Sequence, residues 1–316
     1  MKVRTWWLLG LLPVAAVAAA ACVGDDVPTR DAGPEASTDG ASEAATDGGA
    51  PDANDAACNL DAPFLPPTAV AGLSALGSVA RFSADEKTAY FALAVGDAGL
   101  DQLYQATRPT LSDPFGAPTV LANVNDALGE ATPFVSTDGK TIFYGHSELG
   151  ASGRDIWYAA RQDTIGAFQN PQVVAIVNDP THEDDYVSQA TSGELWFSSR
   201  RDVDSGQNEI FHATDVGNGF GTPQVEAELN SQTESNLYPV LTPDMLRIFF
   251  QRGSSLTIWT ATRPIPSGPF GTPQVVSELT VDGTIERPSW ISADGCRLYV
   301  GQGQPVQMLV ASRPPN

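Results

Sequence analysis

One phrase, written five times in phase, constrains this chain more than any other feature. Anchored on a two-residue turn, the copies are "FSADEKTAYF" (82–91), "FVSTDGKTIFY" (134–144), "SQATSGELWF" (188–197), "VLTPDMLRIFF" (240–250) and "WISADGCRLYV" (290–300). The turn residues Asp85, Asp138, Ser192, Asp244 and Asp294 lie 53, 54, 52 and 50 positions apart. A second phrase follows each copy in register: "QLYQATR", "DIWYAAR", "EIFHATD", "TIWTATR" and "QMLVASR". A third follows the first four: "PFGAPTVLANV", "AFQNPQVVAIV", "GFGTPQVEAEL" and "PFGTPQVVSEL". Each repeat therefore holds four short runs rich in β-branched and aromatic residues, divided by Asp-Gly-type turns, Gly-rich loops and Pro-containing stretches. No stretch shows helical periodicity. Four strands in about 50 residues, repeated, are the signature of a β-propeller blade. Strand A precedes the turn, B follows it, C carries the "DIWYAAR" phrase, and D follows the Phe-x-x-Pro.

The pattern "P-x-x-S-x-D-G-x-x-L-Y-F … D-I-W-x-A-x-R" resembles the WD40-like repeat of TolB and of many exported bacterial proteins. The likeness runs over essentially all of 59–316 and is specific because it recurs in phase. Copy three departs most, with Ser192 at the turn and Asp215 in place of the Arg. The resemblance implies a propeller. TolB itself is expected to have six blades and a second domain, so its partner contacts are not carried over.

The fifth copy has strands A, B and C and then ends. Ahead of the first copy, "PFLPPTAVAGL" (63–73) aligns with the D strands but has no A, B or C of its own. Ring closure accounts for both: the N-terminal segment supplies strand D of the last blade, so no blade is left incomplete and exposed edges are limited. The expectation is an all-β, five-bladed propeller of four-stranded antiparallel blades over 58–316. Cys58 lies just before the transplanted strand and Cys296 opens strand B of blade five. A–B and C–D turns share one face of a propeller, which predicts a Cys58–Cys296 disulfide clasping the joint.

Residues 1–21 read as an export signal: Lys2 and Arg4, an apolar run, then small residues up to Cys22. "AAAC" resembles a bacterial lipobox, with Ala19 where the family prefers Leu. The resemblance implies lipidation of Cys22, several acyl chains being enough for stable anchoring. The alternative is ordinary cleavage after Ala21. Residues 22–57 are expected to form a disordered tether: 23–57 holds nine acids, one Arg and no aromatic residue, too little apolar surface to offset ordering entropy. The whole chain carries a net charge of −21, which argues against nucleic acid as a partner and leaves the lipid as its only membrane contact.

Propeller ligands sit at a channel mouth, here expected on the face of the D–A and B–C loops. Eight residues before each turn residue the register gives Gly77, Glu130, Asp184, Asn236 and Glu286. Three acids and an amide in equivalent positions can ring that mouth and hold a divalent cation such as calcium. They can equally repeat for packing, bonding backbone amides or a neighbouring Arg. His182, in "THEDDY", and Trp290, in an innermost strand, complete the candidates, with core packing the rival reading for Trp290. His146 carries no metal-ligand spacing. Tyr90, Phe91, Phe143, Trp157, Trp196, Phe249 and Trp259 belong between blades. There is no G-x-S-x-G, no nucleophilic Cys and no phosphate loop, and the inner strands are poor in acids. The function expected is therefore a non-catalytic binding or scaffold module of the cell envelope, monomeric, without a resident cofactor. Its partner would be an envelope protein or glycan. The alternative is a glycan-active enzyme of the glycoside hydrolase kind, which needs two carboxylates facing one another.

Overall fold

A computed structural model describes residues 58–96, 99–147, 153–201, 206–253, 256–281 and 283–316. The leader, the lipidation residue Cys22 and the 22–57 tether lie outside the described residues. The rest forms five four-stranded antiparallel sheets. Blade one is β2 (Arg81–Phe82), β3 (Thr88–Val95), β4 (Leu100–Thr107) and β5 (Thr119–Val120); blade two is β6 (Glu130–Val135), β7 (Thr141–Ser147), β8 (Arg154–Ala160) and β9 (Gln169–Val173). Blade three is β10 (Asp184–Gln189), β11 (Leu195–Ser199), β12 (Glu209–Ala213) and β13 (Gln224–Val225); blade four is β14 (Asn236–Leu241), β15 (Arg247–Arg252), β16 (Thr257–Thr262) and β17 (Gln274–Val275). Blade five takes β18 (Glu286–Ile291), β19 (Arg297–Gln302) and β20 (Gln307–Ser312), and its fourth strand is β1 (Thr68–Ala69). The register is Thr68 opposite Val310 and Ala69 opposite Leu309. The N-terminal segment closes the ring, and five blades result.

The repeated residues have specific structural duties. In the A–B turn, Asp85, Asp138, Asp244 and Asp294 each accept the amide two residues on, at 2.9–3.1 Å. Each also accepts the Ser or Thr hydroxyl two residues before it. The residue after the Asp has positive φ, which Gly139 and Gly295 adopt freely and Glu86 and Met245 adopt at 58° and 60°. The Arg that ends strand C stacks on the Phe that begins the D segment: Arg108 on Phe115 at 4.5 Å, Arg161 on Phe168 at 4.2 Å, Arg263 on Phe270 at 4.4 Å. Arg313 stacks on Phe64 at 4.2 Å. That fourth pair joins the last blade's third strand to the chain's first segment, using the same two residue types as blades one, two and four.

Cys58 and Cys296 are bonded, with Cα atoms 5.8 Å apart across 238 positions of sequence. A second tie crosses from blade five to blade one. Arg297 meets the buried Glu86 carboxylate at 2.6 and 3.0 Å, and the Tyr299 hydroxyl donates to it at 2.6 Å. The core lies between blades. Tyr90 and Tyr144 pack in one seam, Trp196 and Phe250 in another, Phe249 and Leu298 in a third. Each sheet thus buries both faces, which is why the B strands read as nearly continuous apolar runs.

Candidate functional site

The innermost strands converge on the channel, and their register defines its layers. Glu130, Asp184, Asn236 and Glu286 open β6, β10, β14 and β18, and all four are fully buried. Each side chain turns back on the loop that leads into its own blade. Glu130 Oε1 accepts the Asp126 amide at 3.0 Å, Asp184 Oδ2 the Asp179 amide at 2.5 Å, and Glu286 Oε1 the Val281 amide at 3.2 Å. Arg201 also donates to Asp184 Oδ1. Asn236 accepts Arg252 Nε at 2.7 Å and donates to the Glu234 carbonyl at 3.3 Å. Among the described residues the only three-membered group of potential metal ligands is Asp126, Glu130 and His146, so no ring of ligands from four blades is assembled. The physical reason is the D–A loop, whose amides would be buried without partners if the acids faced the channel.

His182 lies partly exposed on the blade-three loop, its Nδ1 2.9 Å from Asp179 Oδ1. Trp290 packs edge-on to Phe82 and Tyr299 in the channel wall, with ring centroids 6.0 and 5.8 Å apart.

The two ends of the channel differ. At the A–B turn end a recess of about 100 Å³ is lined from all five blades, with Phe134, Val240 and Trp290 among its apolar walls and Ser136, Gln189 and Thr242 among its polar ones. The expected mouth is at the opposite end, and there side chains fill the axis. β-Bulges in β6, β10 and β14 interrupt the ladder. Within them Thr132, Tyr186 and Tyr238 take left-handed φ of 49°, 58° and 55°, which re-aims their side chains. Tyr186 and Tyr238 meet with ring centroids 4.3 Å apart. Arg154 lies between two carboxylates, 3.2 Å from Asp185 and 3.5 Å from Asp101, while Thr132 also donates to Asp185. Gly145 makes room for this cluster, since a Cβ there would collide with the Asp185 carboxylate.

Sequence reasoning missed Arg81. It occupies the layer four residues before the turn, with Phe134, Ser188, Val240 and Trp290 at the equivalent positions. It is fully buried, and none of its three guanidinium nitrogens has a hydrogen-bond partner. Burial pushes it down to about 10, against the opposing pull of Tyr238 and Asp185. Burial likewise pushes Glu130 up to about 8 and raises Asp101, the latter against Arg154. The positions around Arg81 differ in every blade, so no periodic signal marked it.

No family model matches the chain, and no curated protein matches it. Solved structures do. A TolB-type protein of Agrobacterium tumefaciens is similar at 14% identity over 74% of this chain and 73% of that one, TM-score 0.45. TolB of Acinetobacter baumannii is similar at 17% identity over 81% of this chain but only 56% of that one, TM-score 0.40. A thermostable family-43 glycoside hydrolase is similar at 11% identity over 79% of this chain and 92% of that one, TM-score 0.50. At such identities likeness carries the fold and nothing of ligand or reaction. The in-phase repeat and the five four-stranded sheets make this a five-bladed β-propeller.

Proposed function

We propose that the chain is a non-catalytic binding module of the cell envelope, exported, held to a membrane through a lipidated Cys22, and monomeric. Its partner is an envelope protein or glycan, met at the loops of the D–A and B–C face. One observation carries the non-catalytic reading: the carboxylates Asp101 on β4 and Asp185 on β10 both engage Arg154. Neither is free to serve as the acid or base that glycoside chemistry requires. The leader and the bonded cysteine pair support export, because disulfides persist in oxidising compartments. Since Glu130, Asp184 and Glu286 are occupied with their own loops, the contact falls to outlying residues such as His182, Glu183 and Glu228.

The test is co-sedimentation of the full chain with isolated envelope glycan, and crosslinking in intact envelopes, using a Glu183→Lys/Glu228→Lys double variant. Loss of the partner in that variant, with retention in Lys140→Glu on the opposite face, is the expected result. The reverse pattern would place the contact at the A–B turn end. Release of soluble sugar from the glycan by the unaltered chain would overturn the non-catalytic reading.

A further inference from the structure

In every blade with a polar residue at the start of strand A, that residue needs a counterpart. Blade three supplies Arg201 to Asp184, and blade four supplies Arg252 to Asn236. Blade two supplies no guanidinium. The residue opposite Glu130 across the A–B ladder is His146, and Asp126 from the preceding loop comes in beside it. His146 Nε2 lies 2.9 Å from Asp126 Oδ2 and 3.9 Å from Glu130 Oε1, and one ligand atom from each of the three falls within a 4.8 Å group. Blade five's Glu286 also lacks a guanidinium, but among the described residues it belongs to no group of three ligand side chains.

Around this group the polar atoms are left over. Glu130 Oε2, with its side chain fully buried, has no hydrogen-bond partner. His146 Nδ1 and the hydroxyl of the fully buried Tyr144 have none either. Tyr144 stands two residues before His146 on β7, hence on the same face of the strand. The indole of Trp157 lies against the imidazole with ring centroids 4.5 Å apart, which holds its plane. Access is from one side, since the Asp126 side chain is 49% exposed while those of Glu130 and His146 are 0% and 6% exposed.

We propose that Asp126, Glu130 and His146 form a binding site for one divalent transition-metal ion, zinc foremost, which takes the place that a guanidinium holds in blades three and four. One imidazole and two carboxylates suit zinc; calcium prefers six to eight oxygens. Zinc bonds of about 2.0 Å at tetrahedral angles put ligand atoms about 3.3 Å apart, and the observed 2.9 and 3.9 Å bracket that value. The fourth position opens to water beyond Asp126. The ion would pin the 122–129 loop to the first two strands of blade two, fixing part of the D–A face.

The experiment is calorimetric titration of the full, chelator-treated chain with zinc chloride, alongside thermal melts. One strong site and a raised melting temperature are expected. Asp126→Asn, at an exposed position that tolerates change, should weaken zinc by at least about tenfold, His146→Gln should do the same, and Asp163→Asn, on an exposed turn of the same blade, should leave binding intact. Undiminished zinc binding in Asp126→Asn overturns the proposal. So does an unaltered chain that takes calcium and not zinc.

Discussion

The joint between blades five and one is tied four times, whereas blade three has lost two ties that the other blades keep and blade two buries an acid without a guanidinium. At the joint stand the β1–β20 pairing, the Cys58–Cys296 bond, Arg313 on Phe64, and Glu86 with Arg297 and Tyr299. In blade three the turn Asp is Ser192, whose hydroxyl reaches the Glu194 amide at only 3.4 Å, and Asp215 replaces the stacking Arg. In blade two Glu130 is buried without a cation. The difference follows from chain connectivity. Blades one to four are continuous in sequence and nucleate locally, while the last blade must bring together segments more than 200 residues apart, at a loop-closure cost that extra ties offset.

That contrast can be broken deliberately. The largest effect is expected from removing the clasp. Cys58→Ser with Cys296→Ser, or reduction, should lower stability by up to about 5 kcal/mol on the loop-entropy model, read from denaturant midpoints. An equal midpoint in the reduced chain would mean that β1 closes the ring unaided. Next comes Glu86→Gln, which leaves Arg297 facing a neutral amide at a buried site. A loss of about 3 kcal/mol is expected, and one below 0.5 kcal/mol would demote this tie to ornament.

Blade two should show the opposite sign. The Glu130 carboxyl titrates near 8 in the fold against 4.5 as its ordinary value. Its stabilising contribution is therefore complete below 4.5 and is lost as pH rises through 8. In the presence of chelator, Glu130→Gln should flatten the fall in stability across that window and gain about 1–2 kcal/mol at pH 8. An unchanged pH profile would show that Glu130 is not the group responsible. The smallest effect belongs to blade three. Asp215→Arg restores the residue that elsewhere stacks on the Phe of the D segment, and should raise stability by about 0.5 kcal/mol; a loss would show that Phe220, packed on Phe143, has no face to offer.

How much of this was legible follows from what repeats. The strand order, the borrowed fourth strand and the disulfide came from five copies in phase, because register fixes which segment lacks a partner. The turn Asp and the C-strand Arg were visible as repeats, though their work as an amide acceptor and as a lid on Phe depends on side-chain directions that a repeat does not spell. The ring of Glu130, Asp184, Asn236 and Glu286 was visible too. Its orientation was not, since an acid that bonds its own loop and one that faces a channel are spelled alike. Asp126 and Tyr144 carried no signal, the first because D–A loops differ between blades and the second because it reads as one more core aromatic. Arg81 was hidden because the residues of its layer differ in every blade.

The clasp also has a mechanical meaning. Any pull transmitted through the residues before Cys58 reaches the propeller at Cys58 and passes by a covalent bond into the turn that opens β19. The two-residue strand β1 lies beyond that point and bears none of the load. A strand held by so short a ladder would unzip under modest tension. With the bond in place, force is borne by the interior strands of blade five, and the ring can be held from one end without being opened there.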